Sequence, residues 1–323
     1  MQLVDFSPPE WLLIHYYSIG SISIVLNAFA AYLLIFHCSK LGTFRYYLLV
    51  FQLLCAFTDI DANFLVQPVL LLPIPAGYTA SVIASLFGIS AHVCVALLVQ
   101  NLLLQMAALL LCFLMKHQGI AVILNYHTFP VGTIYLFYFG CLTTLCAIGC
   151  LFEYASLSEE DQWKLIIQNY PDYIYSFRHL ANFELFVKST SFLTLLSVAG
   201  VESTFVAISV LLLTFDMFQM MNVLKTKISS TAFHKHQHAM KSLLVQFATS
   251  LLCILPPTSL TTIVFFEVPN AQFFAAFLTA WTSAHSSISV ICLMIYFPPF
   301  NKFIVESFKK NRRRVSVPAS NHF

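Results

Sequence analysis

Seven long apolar stretches decide what this chain can become. They run over residues 11–37, 46–72, 82–115, 131–151, 192–224, 243–266 and 271–297. Each supplies the ~20 mostly apolar residues that a helix rising ~1.5 Å per residue needs to cross a hydrocarbon core ~30 Å thick. The runs are continuously apolar, whereas strands of a membrane barrel alternate over segments of about ten residues. The fold class that follows is all-α, a bundle of seven transmembrane helices. Composition points the same way: 9% of the 323 residues are Asp, Glu, Lys or Arg, against about 25% in a soluble domain. Lipid has to be part of the solvent. There are no repeats and no soluble appendage, so residues 1–323 are expected to form one seven-transmembrane domain with a tail over 298–323.

Charge sets the expected orientation. Loops after the first, third and fifth spans hold Lys40, Arg45, Lys116, Lys225, Lys227, Lys235 and Lys241, and the tail adds Lys302, Lys309, Lys310, Arg312, Arg313 and Arg314. Thirteen of the sixteen basic residues therefore share one side, which places the C-terminus in the cytosol and the N-terminus outside. The first ten residues carry no Lys or Arg, and the apolar run after them is too long for a signal-peptide core, so the first span reads as an uncleaved anchor. The cysteines fall mostly inside spans, where they serve as small packing residues. No Asn-x-Ser/Thr sequon is present.

Between the fourth and fifth spans, residues 152–191 form a long acidic loop rich in aromatics. It reads either as a solvated connector or as a lid over the outer mouth. After Pro298-Pro299, which ends the seventh span, Phe300, Phe303, Ile304, Ser307 and Phe308 recur at three- and four-residue steps. That is a short amphipathic helix for the inner membrane surface, followed by the basic run 311–314. Membrane-surface binding accounts for that run and nucleic acid is not an expected partner.

Polar groups inside a span are costly and tend to mark function. Asn27, Asp59, Asp61, Ser283, Ser286 and Ser287 lie at similar depth in the first, second and seventh spans. They form a hydrogen-bonded layer that fixes packing or serves as a conformational switch. Asp59 and Asp61 are about 200° apart around a helix of roughly 3.6 residues per turn, so one of them at most faces the layer squarely. Gln100, Asn101 and Gln105 look like interhelical glue. Pro256-Pro257 should kink the sixth span. His92 and His285 with an aspartate invite a metal reading, but no span holds a His-x-x-x-His pair, and neither metal nor cofactor is expected. With no phosphate-binding glycine loop and no G-x-S-x-G elbow, the chain is not expected to be an enzyme.

Several stretches together resemble a known family. They are Gly42-Thr43-Phe44-Arg45-Tyr46-Tyr47-Leu48-Leu49, Gln67-Pro68-Val69 through Pro73-Ile74-Pro75-Ala76-Gly77-Tyr78, Lys116-His117-Gln118, Ser242 to Phe247 through Pro256-Pro257, and the Pro-Pro-Phe-Asn-Lys-Phe start of the tail. In order and spacing they resemble nematode serpentine chemoreceptors of the Str-type superfamily, most closely class I and next class H, over essentially the whole chain. The resemblance implies a G-protein-coupled-receptor-like bundle in the plasma membrane of sensory neurons, in their cilia, binding small environmental molecules and coupling to a heterotrimeric G protein. The chain departs from rhodopsin-type receptors at three places. Lys116-His117-Gln118 stands where Asp-Arg-Tyr is usual, Ile295-Tyr296-Phe297-Pro298-Pro299 replaces N-P-x-x-Y, and no cysteine lies in the outer loops at 72–81 or 152–191.

On that reading a small ligand would bind among the outer halves of the third, fifth, sixth and seventh spans, with His92, Glu202 and Thr279 as pocket residues. Asn27, Asp59, Asp61 and Ser286 would be the switch layer, and Pro256 and Pro257 the moving kink. Lys116, Lys225, Lys227 and Lys241 would face the G protein. A ligand-gated channel and a small-solute transporter are the alternatives. Known seven-helix odorant channels keep the N-terminus inside, and a transporter would be expected to show inverted repeats or paired broken helices.

Overall fold

The computed structural model describes residues 4–180, 182–187, 189–266, 268 and 271–315; within these, the side chains at 40, 235, 242, 250–258, 260, 261, 264, 265 and 307–315 are outside the description. Seven long helices make the bundle: α1 (Glu10–Phe36), α2 (Phe44–Ile60), α4 (Ala91–Leu124), α5 (Val131–Ala155), α8 (Thr190–Lys227), α9 (Ser230–Phe266) and α10 (Ala271–Tyr296). Six of them are long and apolar enough to cross a membrane among the described residues. The other, α9, carries the apolar run 243–266. Large apolar side chains such as Leu136, Phe139, Phe205, Leu212, Phe215 and Phe273 lie exposed on the outside of the bundle, the surface that lipid covers. Inside, one cluster centred on Leu33, Phe51, Leu109, Phe113, Val210, Met217 and Leu243 joins α1, α2, α4, α8 and α9. Lipid tails are as apolar as these side chains, so close packing and interhelical hydrogen bonds hold the cluster together.

Close packing is visible at Gly20. A Cβ there would sit 2.6 Å from the Phe64 ring and 2.8 Å from Asn63 Cβ, so α1 approaches the end of α2 only because position 20 has no side chain.

Three segments depart from the uniform helices of the sequence reading. The second span stops at Val66 instead of continuing to residue 72. α2 widens into a π turn over Asp61–Val66 and ends at Gln67, whose φ is 44°. The carbonyls of Asp59 and Asn63 accept hydrogen bonds from the Asn63 and Gln67 side-chain amides at 3.0 and 2.8 Å, so the irregular backbone stays satisfied without water. Pro68 follows and cannot extend a helix ladder. The third span is broken as well: a short α3 (Val82–Phe87) ends at Gly88 with φ 63°, a conformation glycine adopts freely, and α4 restarts after Ser90, whose Oγ accepts from Val93 N. The third is the long acidic loop, which is a folded cap.

That cap contains α6 (Glu159–Asn169), α7 (Ile174–Arg178) and β3 (Phe183–Leu185). β3 pairs antiparallel with β2 (Ala76–Thr79), which pairs antiparallel with β1 (Pro68–Leu70), in registers Ala76↔Leu185 and Pro68↔Thr79. The cap has its own core, with Ile166, Phe177, Leu71 and Leu185 buried and Val4 and Phe6 of the N-terminal segment packed in. Phe6 meets the Phe177 ring edge-on at 5.0 Å, and Tyr78 donates to Phe6 O at 2.9 Å. At the opposite face, α11 (Pro298–Val315) starts on a proline, whose missing N–H is no loss in a first turn. It buries Phe300 and sets Phe303 against the His37 ring at 4.3 Å.

Candidate ligand chamber

Beneath the three-stranded sheet lies a cavity of about 240 Å³. α4 forms one wall with Ala91, Val95, Leu98, Val99 and Leu102, and α10 forms another with Thr279, Thr282 and Ser283. Tyr16 from α1 and Ala62 and Val66 from the π turn close the sides, while residues of the strands with Glu184 and Phe186 make the roof. The roof is tied to the bundle where Tyr16 donates to Pro68 O at 2.8 Å. A chamber of this kind, mostly apolar with a few polar points, is the usual form of a small-molecule site.

The polar points are mainly acceptors. Thr279, Thr282 and Ser283 donate their hydroxyl protons to Ala276 O, Leu278 O and Ala280 O on their own helix, each at 2.9 Å. Glu184 is buried, takes a long 3.4 Å hydrogen bond from Gln162 on Oε2, and has Oε1 3.4 Å from His92 Nδ1. Burial pushes its carboxyl above the ordinary range, and His92 nearby draws it partly back.

The three residues expected in the pocket are dispersed. Thr279 is in the wall. His92 stands behind the roof, its Nε2 3.2 Å from Glu153 and its Nδ1 3.4 Å from Glu184 Oε1, with its ring 4.7 Å from Phe152. Glu202 is half-buried on α8 and does not line the chamber; no α8 residue does among those described. Sequence reasoning passed over Glu184, Tyr16 and Phe186. Only the strand Phe183-Glu184-Leu185, once paired with β2, shows which of the loop's six carboxylates turns inward.

Directly below the chamber is the polar layer. The Asn27 amide nitrogen lies within 3.2 Å of Ser23 O, Ser23 Oγ, Asp59 Oδ2 and Ser286 Oγ. Ser23 also donates to Asp59, and Gln52 donates to Asn27 Oδ1. Asn63 reaches Ser283 O at 3.2 Å, so α1, α2 and α10 are locked at one depth. Asp61 points elsewhere and accepts from Asn101 of α4 at 2.9 Å. His285 places Nδ1 2.7 Å from Thr282 O, which makes Nδ1 the protonated nitrogen and Nε2 the acceptor for Gln105 at 3.0 Å.

Against known proteins, the model of the family described as serpentine type 7TM GPCR chemoreceptor Sri matches residues 2–304. The chain belongs to that family. It is thus a multi-pass membrane protein of the G-protein-coupled-receptor type. The Sri chain also superposes on the crystal structure of squid rhodopsin with a TM-score of 0.57, covering 96% of this chain and 87% of that one at 9% identity. At that identity the likeness is one of fold. Curated protein sequences give no match.

At the C-terminal face of this Sri receptor the four expected basic residues divide. Lys225, Lys227 and Lys241 are exposed, the first two at the C-terminus of α8, where the helix dipole favours cations. Lys116 is buried instead. Its Nζ lies 3.2 Å from His236 Nδ1 on α9 and 5.3 Å from the Phe44 ring centroid. The adjacent His117 is 2.6 Å from Asp216 Oδ2 on α8. The Lys-His pair that stands in for Asp-Arg-Tyr therefore ties α4 to both α8 and α9. The α9 backbone is helical through Pro256-Pro257, whose side chains lie outside those described. Cys94 and Cys150 are both free.

Proposed function

We propose that this Sri-family protein is a chemosensory receptor of the plasma membrane, placed in sensory-neuron cilia as the family resemblance implies. Its N-terminus and cap lie outside the cell and its C-terminus inside. A small environmental molecule occupies the chamber beneath the sheet and signals to a heterotrimeric G protein at the opposite face. One observation carries this reading: a mainly apolar chamber sits next to the Asn27–Asp59–Ser286 layer, so an occupant pressing on Thr279 or Ser283 acts on the same helix that the layer holds. The ligand shifts the equilibrium only by binding the active arrangement more tightly than the resting one. The moving parts are α9 and the Lys116–His236 and His117–Asp216 contacts, whose release would open a cleft toward Lys225, Lys227 and Lys241. The receptor role is supported by a mainly apolar chamber that offers a few hydrogen-bond acceptors and one carboxylate, the usual form of a small-molecule site. The test is a cAMP and calcium screen of volatile and water-soluble metabolites on cells expressing the chain. A response abolished by a G-protein inhibitor is expected; an inhibitor-resistant, ligand-gated current would replace the receptor with a channel.

A further inference from the structure

Glu184 is the one Asp, Glu, Lys, Arg or His among the chamber's lining residues, and its environment is unbalanced. The carboxylate is 5% exposed and is held only by long contacts, Oε1 3.4 Å from His92 Nδ1 and Oε2 3.4 Å from the Gln162 amide. No Lys or Arg pairs with it among the described residues. His92 is its only basic neighbour there, and that imidazole also faces Glu153, which is 72% exposed. Even with His92 protonated, two carboxylates share one positive charge. A buried carboxylate held only by long contacts is expensive unless a cation or a strong donor completes it. The rest of the lining brings no Lys, Arg or His. The hydroxyl protons of Thr279, Thr282 and Ser283 are spent on backbone carbonyls, and Tyr16 spends its own on Pro68 O. Thr79 adds one more hydroxyl, whose oxygen accepts from the Asn182 amide at 3.2 Å, and the other lining residues are glycine, aliphatic or aromatic.

We infer that the chamber selects a small, mainly apolar amine, whose ammonium group pairs with Glu184 while its hydrocarbon part fills the space between α4 and α10. This rests on the chamber being the ligand site. A protonated amine brings the missing positive charge and up to three donors, and these meet the Glu184 carboxylate and the lone pairs of the roof and wall. An alcohol of the same shape brings one donor and no charge. A carboxylic acid sets like charge against Glu184. The size is suitable, since an apolar cavity of ~150 Å³ already takes benzene and this one is about 240 Å³.

The test uses the purified full-length chain in nanodiscs at neutral pH, with 2-phenylethylamine and hexylamine compared with 2-phenylethanol and hexanol by ligand-induced thermal stabilisation. Each amine is expected to bind at least ~10-fold more tightly than its alcohol. Glu184→Gln should abolish that preference. Glu202→Gln, which removes a half-buried carboxylate outside the chamber, should keep it. Should Glu184→Gln not fold, the amine–alcohol comparison on the wild-type chain decides alone. Equal binding of amine and alcohol, a preference surviving in Glu184→Gln, or no binding of either amine overturns the inference. Val95→Trp, which fills the chamber, separates the two levels of failure. If neutral probes bind and Val95→Trp blocks them, the chamber stands as the site and only the amine specificity falls. If no probe shows binding sensitive to Val95→Trp, the chamber falls as well.

Discussion

Asn27 gathers oxygens from α1, α2 and α10 around one amide, and it receives the Gln52 amide on its own oxygen. Truncating it leaves Asp59 and Gln52 short of partners inside the bundle, which costs about 1–3 kcal/mol for each buried group left unpaired. Asn27→Ala should therefore lower the thermal unfolding temperature of the detergent-purified chain clearly. Asp59→Asn keeps the shape and the hydrogen-bonding capacity and removes the charge, so its cost should stay near or below ~1 kcal/mol. Equal losses in the two variants would contradict this account of the layer. Part of this level can be read without coordinates. Helical periodicity separates Asp59 from Asp61, and in the fold they reach Asn27 and Asn101 respectively. Burial of Lys116 and the inward turn of Glu184 cannot be read that way, because each depends on a partner distant in sequence. Lys116 meets His236 across 120 positions, and Glu184 joins the roof only after β3 pairs with β2.

The cap is the element that sequence patterns describe least. Its strands are three or four residues long and its helices α6 and α7 have eleven and five residues, too short for periodicity to distinguish them from a connector. What holds them is a water-facing core of the soluble kind, where the hydrophobic effect operates in full. Removing the fully buried Phe177 ring should cost about 3–5 kcal/mol, concentrated in the cap because Phe177 packs in the cap's own core. Phe177→Ala should make residues 152–191 sensitive to limited proteolysis while the helical content of the bundle is retained. Loss of the whole helical signal would mean that cap and bundle are one cooperative unit. The long spans were legible for the opposite reason. Apolar runs of more than twenty residues leave one way to satisfy their backbone in lipid, although where they end is set by local features such as the αL residue Gln67 and the break at Gly88.

At the scale of the molecule the two faces differ in kind: a folded cap over a chamber at one end, and exposed lysines with the amphipathic α11 at the other. Orientation follows if the basic face is cytosolic. Because the chain has no glycosylation sequon of its own, one introduced before Glu10 should be glycosylated in cells and one introduced after residue 315 should not; the reverse pattern would invert the topology and favour a channel. The family and the bundle were both legible in the order and spacing of motifs, since these recur along the whole length. The position of the chamber was not, since it lies between α1, α4, α10 and the sheet, away from α8. The measurement that reaches the central claim most directly compares agonist responses of the wild-type chain and Val95→Trp at matched surface expression, with and without a G-protein inhibitor. The account predicts an inhibitor-sensitive response in the wild type that Val95→Trp abolishes. A response that persists with the chamber filled, or that continues as an ion current under the inhibitor, would contradict it.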